Sequence, residues 1–305
     1  MNNYPLVSVF TCVYNGARTI DRVFQSVKRL DYPNIEHIIV NDGSTDETDF
    51  LIRKYITEAP VPVKYHKKEQ NGGKHTAVNI AWDLAEGDFL VLLDADDELP
   101  AHSVRFLVDT YFNIPEEIRD QYWCVHGRCV TQHGKLVGKK YPEDINDHSW
   151  REAQKIASAY RTEMGSLQVR KYVDPYRFPE VVGVTHVPEG IIWKQINKSY
   201  GTWYTNEITR IYYVGEGGNL CANTHSRKQY STAAFYQKWM FTHKDDYEKS
   251  WASMARYALY YFMADKKYRK NNGYLEDCTD KFMLVLLAPI AFFGALVERM
   301  IKKIH

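Results

Sequence analysis

Residues 88–97 read Asp-Phe-Leu-Val-Leu-Leu-Asp-Ala-Asp-Asp, and the fold turns on them. The unbroken run Phe89 to Leu93 has no polar alternation, so it predicts a strand buried on both faces. It empties directly into a cluster of carboxylates. Leu6 to Tyr14 and Ile35 to Val40 also read as buried strands, and Val61 to His66 as a third strand. Each is followed by a polar break and then by helical spacing. Asn15-Gly16 leads into residues 17–30, where Ile20, Val23, Phe24, Val27 and Leu30 share a face. Asn41-Asp42-Gly43-Ser44-Thr45-Asp46 leads into a helix running to about Thr57, with Ser44, Thr45 or Asp46 as its cap. Gly72-Gly73 opens a helix through Ala85. Strands and helices in alternation predict an α/β protein, with a mostly parallel sheet and helices on both faces. Ligands on such sheets sit beyond the C-terminal ends of the strands. The loops at Asn15, Asp42 and Asp94 all lie there.

Outward from this core the pattern loosens. Residues 123–130 and 136–137 predict a short hairpin around His133-Gly134. Helices are expected at 150–159 and at 190–200, and a strand at 207–214. Beyond residue 215 the chain changes character. Residues 233–269 are aromatic-rich and predicted helical. Residues 282–297 then run without a charge, interrupted by Pro289 and Gly294. Sixteen residues are short for one bilayer crossing, which takes about 20. Lys266, Lys267, Arg269 and Lys270 precede the run, and Lys302 and Lys303 follow it. Basic flanks of this kind fit a segment, 282–305, that rests in the interface of an anionic membrane. A buried core helix is the competing expectation.

Composition narrows the classes. The 305 residues are 45% hydrophobic and 25% charged, too apolar for a disordered chain. A net charge of +1 predicts no nucleic-acid partner. The five cysteines are odd in number and form no C-x-x-C pair, so they read as free thiols of a reducing compartment. Met1 to Pro5 is polar and carries no basic leader, which predicts a cytoplasmic protein. The 14% of aromatic residues reads as core packing before it reads as a sugar-stacking groove.

The chemistry lies in the loops. Asp94 and Asp96, one residue apart beyond a buried strand, suit a hard divalent cation that bridges two phosphates. Asp97 reads as a cap for the segment after it. Asp42, beside the tight turn allowed by Gly43, can accept a hydrogen bond from a base or a ribose. Gly72-Gly73-Lys74 lacks the first glycine of a P-loop, yet it can bring backbone and a cation to a diphosphate.

Four motifs occur in one order: V-S-V-F-T-C-V-Y-N-G (7–16), I-I-V-N-D-G-S-T-D (38–46), N-G-G-K-H-T-A-V-N (71–79) and V-L-L-D-A-D-D (91–97). Together they resemble the family 2 glycosyltransferases of GT-A fold, over about residues 6–215. The resemblance implies a catalytic domain over 1–215, with a nucleotide-binding half (1–98) and an acceptor half (99–215), before a helical region at 216–305. It also implies inverting transfer of a sugar from a nucleoside diphosphate donor, usually a UDP-sugar, with Mn2+ or Mg2+. By position, Thr11, Cys12 and Tyr14 line the nucleotide and Asp42 reads the base. Lys74 lies near the phosphates. Asp94, with Ala95 behind it, faces the ribose or a metal-bound water, and Asp96 binds the metal. The family's catalytic base usually sits in a Glu-Asp pair before a helix. Here the stretch is His186-Val187-Pro188-Glu189-Gly190, which leaves Glu189 as the only carboxylate, with Glu180 and Asp174 as fallbacks. His225 is a candidate third metal ligand, Arg210 and Arg227 are candidate diphosphate contacts, and Trp193 and Trp203 are candidate acceptor platforms. A glycan or lipid-linked acceptor at the inner face of a bacterial cell membrane follows by analogy. The rivals are transfer to polyprenyl phosphate, nucleotidyl transfer, and a nucleotide-binding domain without catalysis.

Overall fold

The computed structural model describes residues 4–160, 165–215, 227–242, 251–276, 278 and 281–302. They form two compact units. One comprises residues 1–178 and 190–216, the other 179–189 and 217–305.

The first unit is the α/β one. Its elements in chain order begin β1 (Val7–Val13), α1 (Ile20–Lys28), β2 (Ile35–Asn41), α2 (Thr48–Glu58), β3 (Val63–Lys67), α3 (Lys74–Leu84) and β4 (Phe89–Leu92). They continue with α4 (Ser103–Asn113), α5 (Glu116–Arg119), β5 (Tyr122–Thr131), α6 (Trp150–Ser158), β6 (Ser166–Val169), α7 (Arg170–Val173), α8 (Gly190–Ile196) and β7 (Gly201–Tyr212). The strands make one sheet in the order β3-β2-β1-β4-β6-β5-β7. Only β6 runs against the others, pairing antiparallel with β4 and β5. All seven residues of β2 are buried, and in β1 only Cys12 is partly open. A strand sealed on both sides needs cover on both faces of the sheet, as the unbroken apolar runs imply. The connection from β1 steps to β2 and β3 on one side, whereas β4 returns to the other side of β1. That reversal opens a crevice beyond the ends of β1 and β4.

The opposite edge of the sheet is locked by a buried carboxylate. Glu36 is 3% exposed. It accepts hydrogen bonds from Ser8 Oγ (2.5 Å) and Glu86 N (2.7 Å), and its other oxygen lies 2.8 Å from Lys64 Nζ. Burial alone would raise its pKa, but these partners pull it below the ordinary value. One side chain thus ties β1, β2, β3 and the turn before β4.

Several expected boundaries shift. The third strand starts at Val63, after Pro62, which lacks the N–H a ladder needs and offers only its carbonyl, to His37 N. The expected hairpin at His133-Gly134 is a turn closed by Lys135 and Gly134 (φ +75°). Leu136 forms a single bridge with Val130 and no strand. The helix at 190–200 ends at Ile196, and 197–200 continue as turns. The last strand begins at Gly201 because its polar residues find partners. Asn206, for example, exchanges hydrogen bonds with both backbone groups of Tyr141. Neither Ser44 nor Thr45 caps α2; Asp46 Oδ1 accepts from Thr48 N (3.1 Å) and from its hydroxyl.

The second unit is helical: α9 (Arg227–Thr242), α10 (Trp251–Met263), α11 (Lys266–Asn271) and α12 (Lys281–Lys302). The single stretch expected over 233–269 is therefore divided, and Asp265 caps α11 by accepting from Lys267 N at 2.7 Å. The aromatic residues here do pack as a core. Tyr257 is fully buried, stacks on Tyr274 and donates to its carbonyl at 2.8 Å. Segment 179–189 belongs to this unit: a Cβ on Gly183 would lie 2.7 Å from Tyr268 backbone, and Asn272 donates to Val182 O.

The apolar run of 282–297 lies inside a longer element than expected. Pro289 does not end α12, which spans 22 residues, or about 33 Å. By length and composition it is the one helix among the described residues able to cross a membrane, with 17% of its apolar window buried. Leu284, Ala291 and Ala295 are buried, whereas Phe282, Val285, Leu286, Ile290, Phe293 and Val297 are exposed. Leu259 of α10 lies beside Gly294, and Phe262 of α10 meets Phe292 at 5.6 Å. One face of α12 thus packs on α10 and the other is apolar and open.

Candidate active site

Three loops converge at the switch point. The turn after β1 is stitched to the turn after β2: Asn15 (φ +51°) donates from its backbone to Ser44 Oγ (2.9 Å) and accepts from Thr45 N (2.8 Å). Asp46 accepts from Ala17 N at 3.1 Å. Gly16 leaves room for the end of β1, since a Cβ there would lie 2.5 Å from Val13 Cγ2.

Asp42 is almost wholly buried at 3% exposure. Its Oδ1 accepts from Gly72 N (2.9 Å) and from the Lys68 ammonium, and its Oδ2 from Gly73 N (2.8 Å). The carboxylate therefore clamps the Gly72-Gly73 turn that starts α3. Gly73 adopts φ +94° as the residue before that helix. Gly43 (φ +75°) is needed beneath it, because a Cβ would lie 2.6 Å from Gln70 backbone.

Lys74, the first residue of α3, places its ammonium 2.6 Å from Asp94 Oδ1. Arg210, from the end of β7, binds Asp94 Oδ2, and its Nε donates to Asp97 Oδ2 at 2.7 Å. Tyr213 N closes the set on Asp97 Oδ1 at 3.0 Å. Asp97 is 0% exposed and is no helix cap, which corrects that expectation. Burial would raise Asp94, yet Lys74 and Arg210 overcome it and hold its carboxyl well below the carboxylate range. Burial pushes Asp97 up to about 6, with Arg210 opposing and Asp94 adding to the rise.

Asp96 differs from both. Its backbone carbonyl accepts from Arg22 Nη1 (2.6 Å), but its half-buried carboxylate has no ion-pair partner among the described residues. Burial and the neighbouring Asp94 charge raise its pKa. A hard oxygen ligand with a destabilised negative charge fits a divalent cation. Among the described residues no group of three or more His, Cys, Asp or Glu is placed to hold a metal. Among the described residues, the carboxylate of this cluster left without an ion-pair partner is Asp96, with Asp94 engaged by cations beside it.

The other expected residues divide. Tyr14 is half exposed at the end of β1, and Cys12 is the open residue of that strand. Thr11 is 0% exposed. Its hydroxyl lies 3.2 Å from His37 Nε2, and His37, which burial lowers to about 3, meets the Tyr55 hydroxyl. Trp193, partly buried, packs among Trp82, Trp123 and Phe178, and Trp203, also partly buried, against Tyr122. Asp174 is a surface partner of Arg170. Glu189 is half-buried immediately before α8 and groups with the helical unit, as does exposed Glu180. His225 and the side chain of Arg227 lie outside the described residues. Sequence reasoning missed Lys68 on Asp42 and Asp97 under Arg210.

Known proteins share this fold. Residues 8–119, which carry every loop of the crevice except Arg210, match the sequence profile "Glycosyl transferase family 2". The chain is a glycosyltransferase, similar over those residues to family 2. A relative from Campylobacter jejuni, the GalNAc(5)-diNAcBac-PP-undecaprenol beta-1,3-glucosyltransferase, is 23% identical over 279 residues, covering 87% of this chain and 85% of its own. Among solved structures, S. aureus TarS 1-349 in complex with UDP-GlcNAc superposes with a TM-score of 0.58 at 16% identity, over 94% of this glycosyltransferase and 80% of that chain. The mannosyltransferase PcManGT from Pyrobaculum calidifontis, in complex with GDP-Man and Mn2+, gives 0.55 at 18% identity, over 97% and 76%. These likenesses establish the GT-A fold.

Proposed function

We propose that this glycosyltransferase moves a sugar from a UDP-sugar to a hydroxyl of a lipid-linked glycan, with inversion and with Mn2+ or Mg2+. The observation that carries the reading is the gathering of Asp42, Lys74, Asp94, Asp96 and Arg210 at one sheet edge. In this reading Tyr14, Cys12 and Asp42 border the nucleoside, with Thr11 supporting β1 from within. Lys74 and Asp94 orient the ribose and phosphates. Asp96 would hold the divalent ion, which would supply positive charge to the leaving diphosphate. Glu189 takes the proton of the acceptor hydroxyl while that oxygen bonds to the anomeric carbon and the bond to the diphosphate breaks. Arg210 keeps Asp94 ionised. The acceptor class is supported by the name of the Campylobacter relative, the UDP-linked donor by the UDP-GlcNAc of the TarS structure, and the metal by the Mn2+ of the PcManGT structure, whose own donor is GDP-Man.

The exposed face of α12 supports contact with the inner leaflet of the cell membrane. We assign it to the interface: α12 packs along α10, which carries exposed Arg256, so crossing would draw that charge into the bilayer.

Thermal shift with a panel of nucleoside diphosphates and UDP-sugars, with and without Mn2+, tests the donor site. Stabilisation by UDP and one UDP-sugar should require Mn2+ and vanish in Asp96→Ala. With that donor, Glu189→Gln should lower kcat by roughly 10²- to 10⁴-fold. Unchanged turnover in Glu189→Gln would favour transfer to polyprenyl phosphate, whose acceptor oxygen is already anionic.

A further inference from the structure

The backbone of the acidic loop after β4 is gripped from α1. Arg22 and Ser26 lie one turn apart on that helix and share a face. Arg22 Nη1 donates to Asp96 O at 2.6 Å, and Ser26 Oγ accepts from Leu99 N at 2.8 Å. Successive turns of one helix thus hold the two ends of 96–99. Tyr213, just past β7, grips the stretch between them. Its N–H donates to Asp97 Oδ1 at 3.0 Å and its hydroxyl to Glu98 Oε1 at 2.7 Å. The Arg22 guanidinium lies over the Tyr213 ring, 3.4 Å from its centroid, with Nε 4.0 Å from Glu98 Oε1. Arg29 holds the other Glu98 oxygen at 3.1 Å. Arg22 is therefore seated, with its side chain 18% exposed. It takes the carbonyl of Asp96, and the Asp96 carboxylate keeps no ion-pair partner among the described residues. A guanidinium on that carboxylate would compete with a metal ion. On the carbonyl it fixes the backbone and leaves the charge available.

We infer that Arg22 is a positioning residue: seated on Tyr213, it fixes the Asp96 backbone so that the carboxylate is aimed before a cation arrives. The inference rests on the reading of Asp96 as the metal-binding residue given above. Aspartate has a short side chain with two torsions, so a fixed backbone leaves it few directions. A ligand held in place beforehand loses little freedom when the ion binds. Groups that orient a ligand without touching the metal are typically worth about 10- to 100-fold in affinity.

Thermal shift at saturating UDP, with Mn2+ titrated, tests this on wild type, Asp96→Ala, Arg22→Met, Arg22→Lys and Tyr213→Leu, each first checked for a cooperative melt without ligand. In Arg22→Met the Mn2+ concentration that gives half of the UDP-dependent stabilisation should rise about tenfold or more, and high Mn2+ should restore the full shift. Asp96→Ala should show no Mn2+-dependent shift at any concentration. Arg22→Lys keeps a donor for the carbonyl without the flat stack, so its midpoint should fall between those of wild type and Arg22→Met. Tyr213→Leu keeps the backbone N–H on Asp97 but removes the ring beneath Arg22, and should raise the midpoint about threefold. It carries the test if Arg22→Met does not melt cooperatively. A residue that only supports the fold would lower the ligand-free melting temperature and leave the Mn2+ midpoint unchanged. That result, with the Mn2+ response still lost in Asp96→Ala, would overturn the role of Arg22 and leave the metal reading standing. A wild-type UDP shift that needs no Mn2+ would instead remove the metal reading itself, and the role of Arg22 with it.

Discussion

Two carboxylates in this protein show opposite physics, and mutation should separate them. Glu36 is buried and fully partnered, with its pKa lowered by Lys64, Ser8 and backbone donors against the effect of burial. Glu36→Ala strands Lys64 and a buried amide, so it should cost about 2–4 kcal/mol in urea unfolding. Asp96 is half-buried, with its pKa raised by burial and by Asp94. Asp96→Asn removes a charge the fold disfavours, so its melting temperature should equal or exceed that of wild type. Mn2+-dependent nucleotide binding should disappear in the same variant. A clear loss of stability in Asp96→Asn would mean that this carboxylate supports the fold. The sequence made Asp96 legible because an acidic triplet followed five apolar residues. It could not reveal what surrounds it. Arg210 reaches Asp94 from 116 residues away and Lys68 reaches Asp42 from 26, and neither stands in a local pattern that predicts where its strand or loop ends. The inward turn of the Thr11 hydroxyl, which lies 3.2 Å from His37 Nε2, was likewise not legible from its motif.

Among the elements, the α2–β3 contact is held by one aspartate. Asp49 accepts from Tyr65 Oη (2.5 Å), and Lys67 Nζ and Arg53 Nε lie 2.9 and 3.2 Å from it. The Tyr65 hydroxyl also receives Asn41 Nδ2 at 3.2 Å, which links this contact to the loop that carries Asp42. The Tyr65 hydrogen bond, then Lys67, lowers the Asp49 pKa from 3.8 to about 2. A folded value below the unfolded one stabilises the protein above the unfolded pKa, and the gain is lost as pH falls through the folded one. Urea unfolding of wild type and Asp49→Asn should therefore differ by a constant amount above about pH 5, and the curves should converge between about pH 4 and 2. A gap that widens toward acid would refute the assignment. The strands β1 and β2 were readable from sequence because apolar residues dominate both of their buried faces, whereas β3, at the sheet's edge, is partly open along its length. The start of β7 was not readable, because Asn206 and its neighbours satisfy themselves across the chain and look like loop residues beforehand. The length of α12 was hidden by Pro289, a residue that ordinarily breaks a helix.

For the whole molecule, the open question is what covers α12. Apolar patches this continuous on a soluble monomer mark an interaction surface. Core burial, the competing expectation, does not describe it: Ile290 and Phe282 are each 73% exposed and Phe293 is 67% exposed. The flanking lysines and the basic α11 favour a surface of negative charge. The full chain should therefore sediment with vesicles containing phosphatidylglycerol and much less with pure phosphatidylcholine. Raising the salt should weaken the electrostatic share, since a Debye length is about 8 Å at physiological ionic strength. Replacing Ile290 and Phe293 together by Asp should abolish sedimentation while leaving UDP binding and the melting temperature intact. Alkaline carbonate should strip the wild-type protein from membranes, because a helix lying in the interface is not locked in as a spanning one is. Retention in the membrane after carbonate would mean that α12 crosses, and that α10 leaves it to do so. If instead the double aspartate variant bound vesicles as wild type does, the exposed face would belong to another partner, and the acceptor would reach the sheet edge without a membrane anchor here.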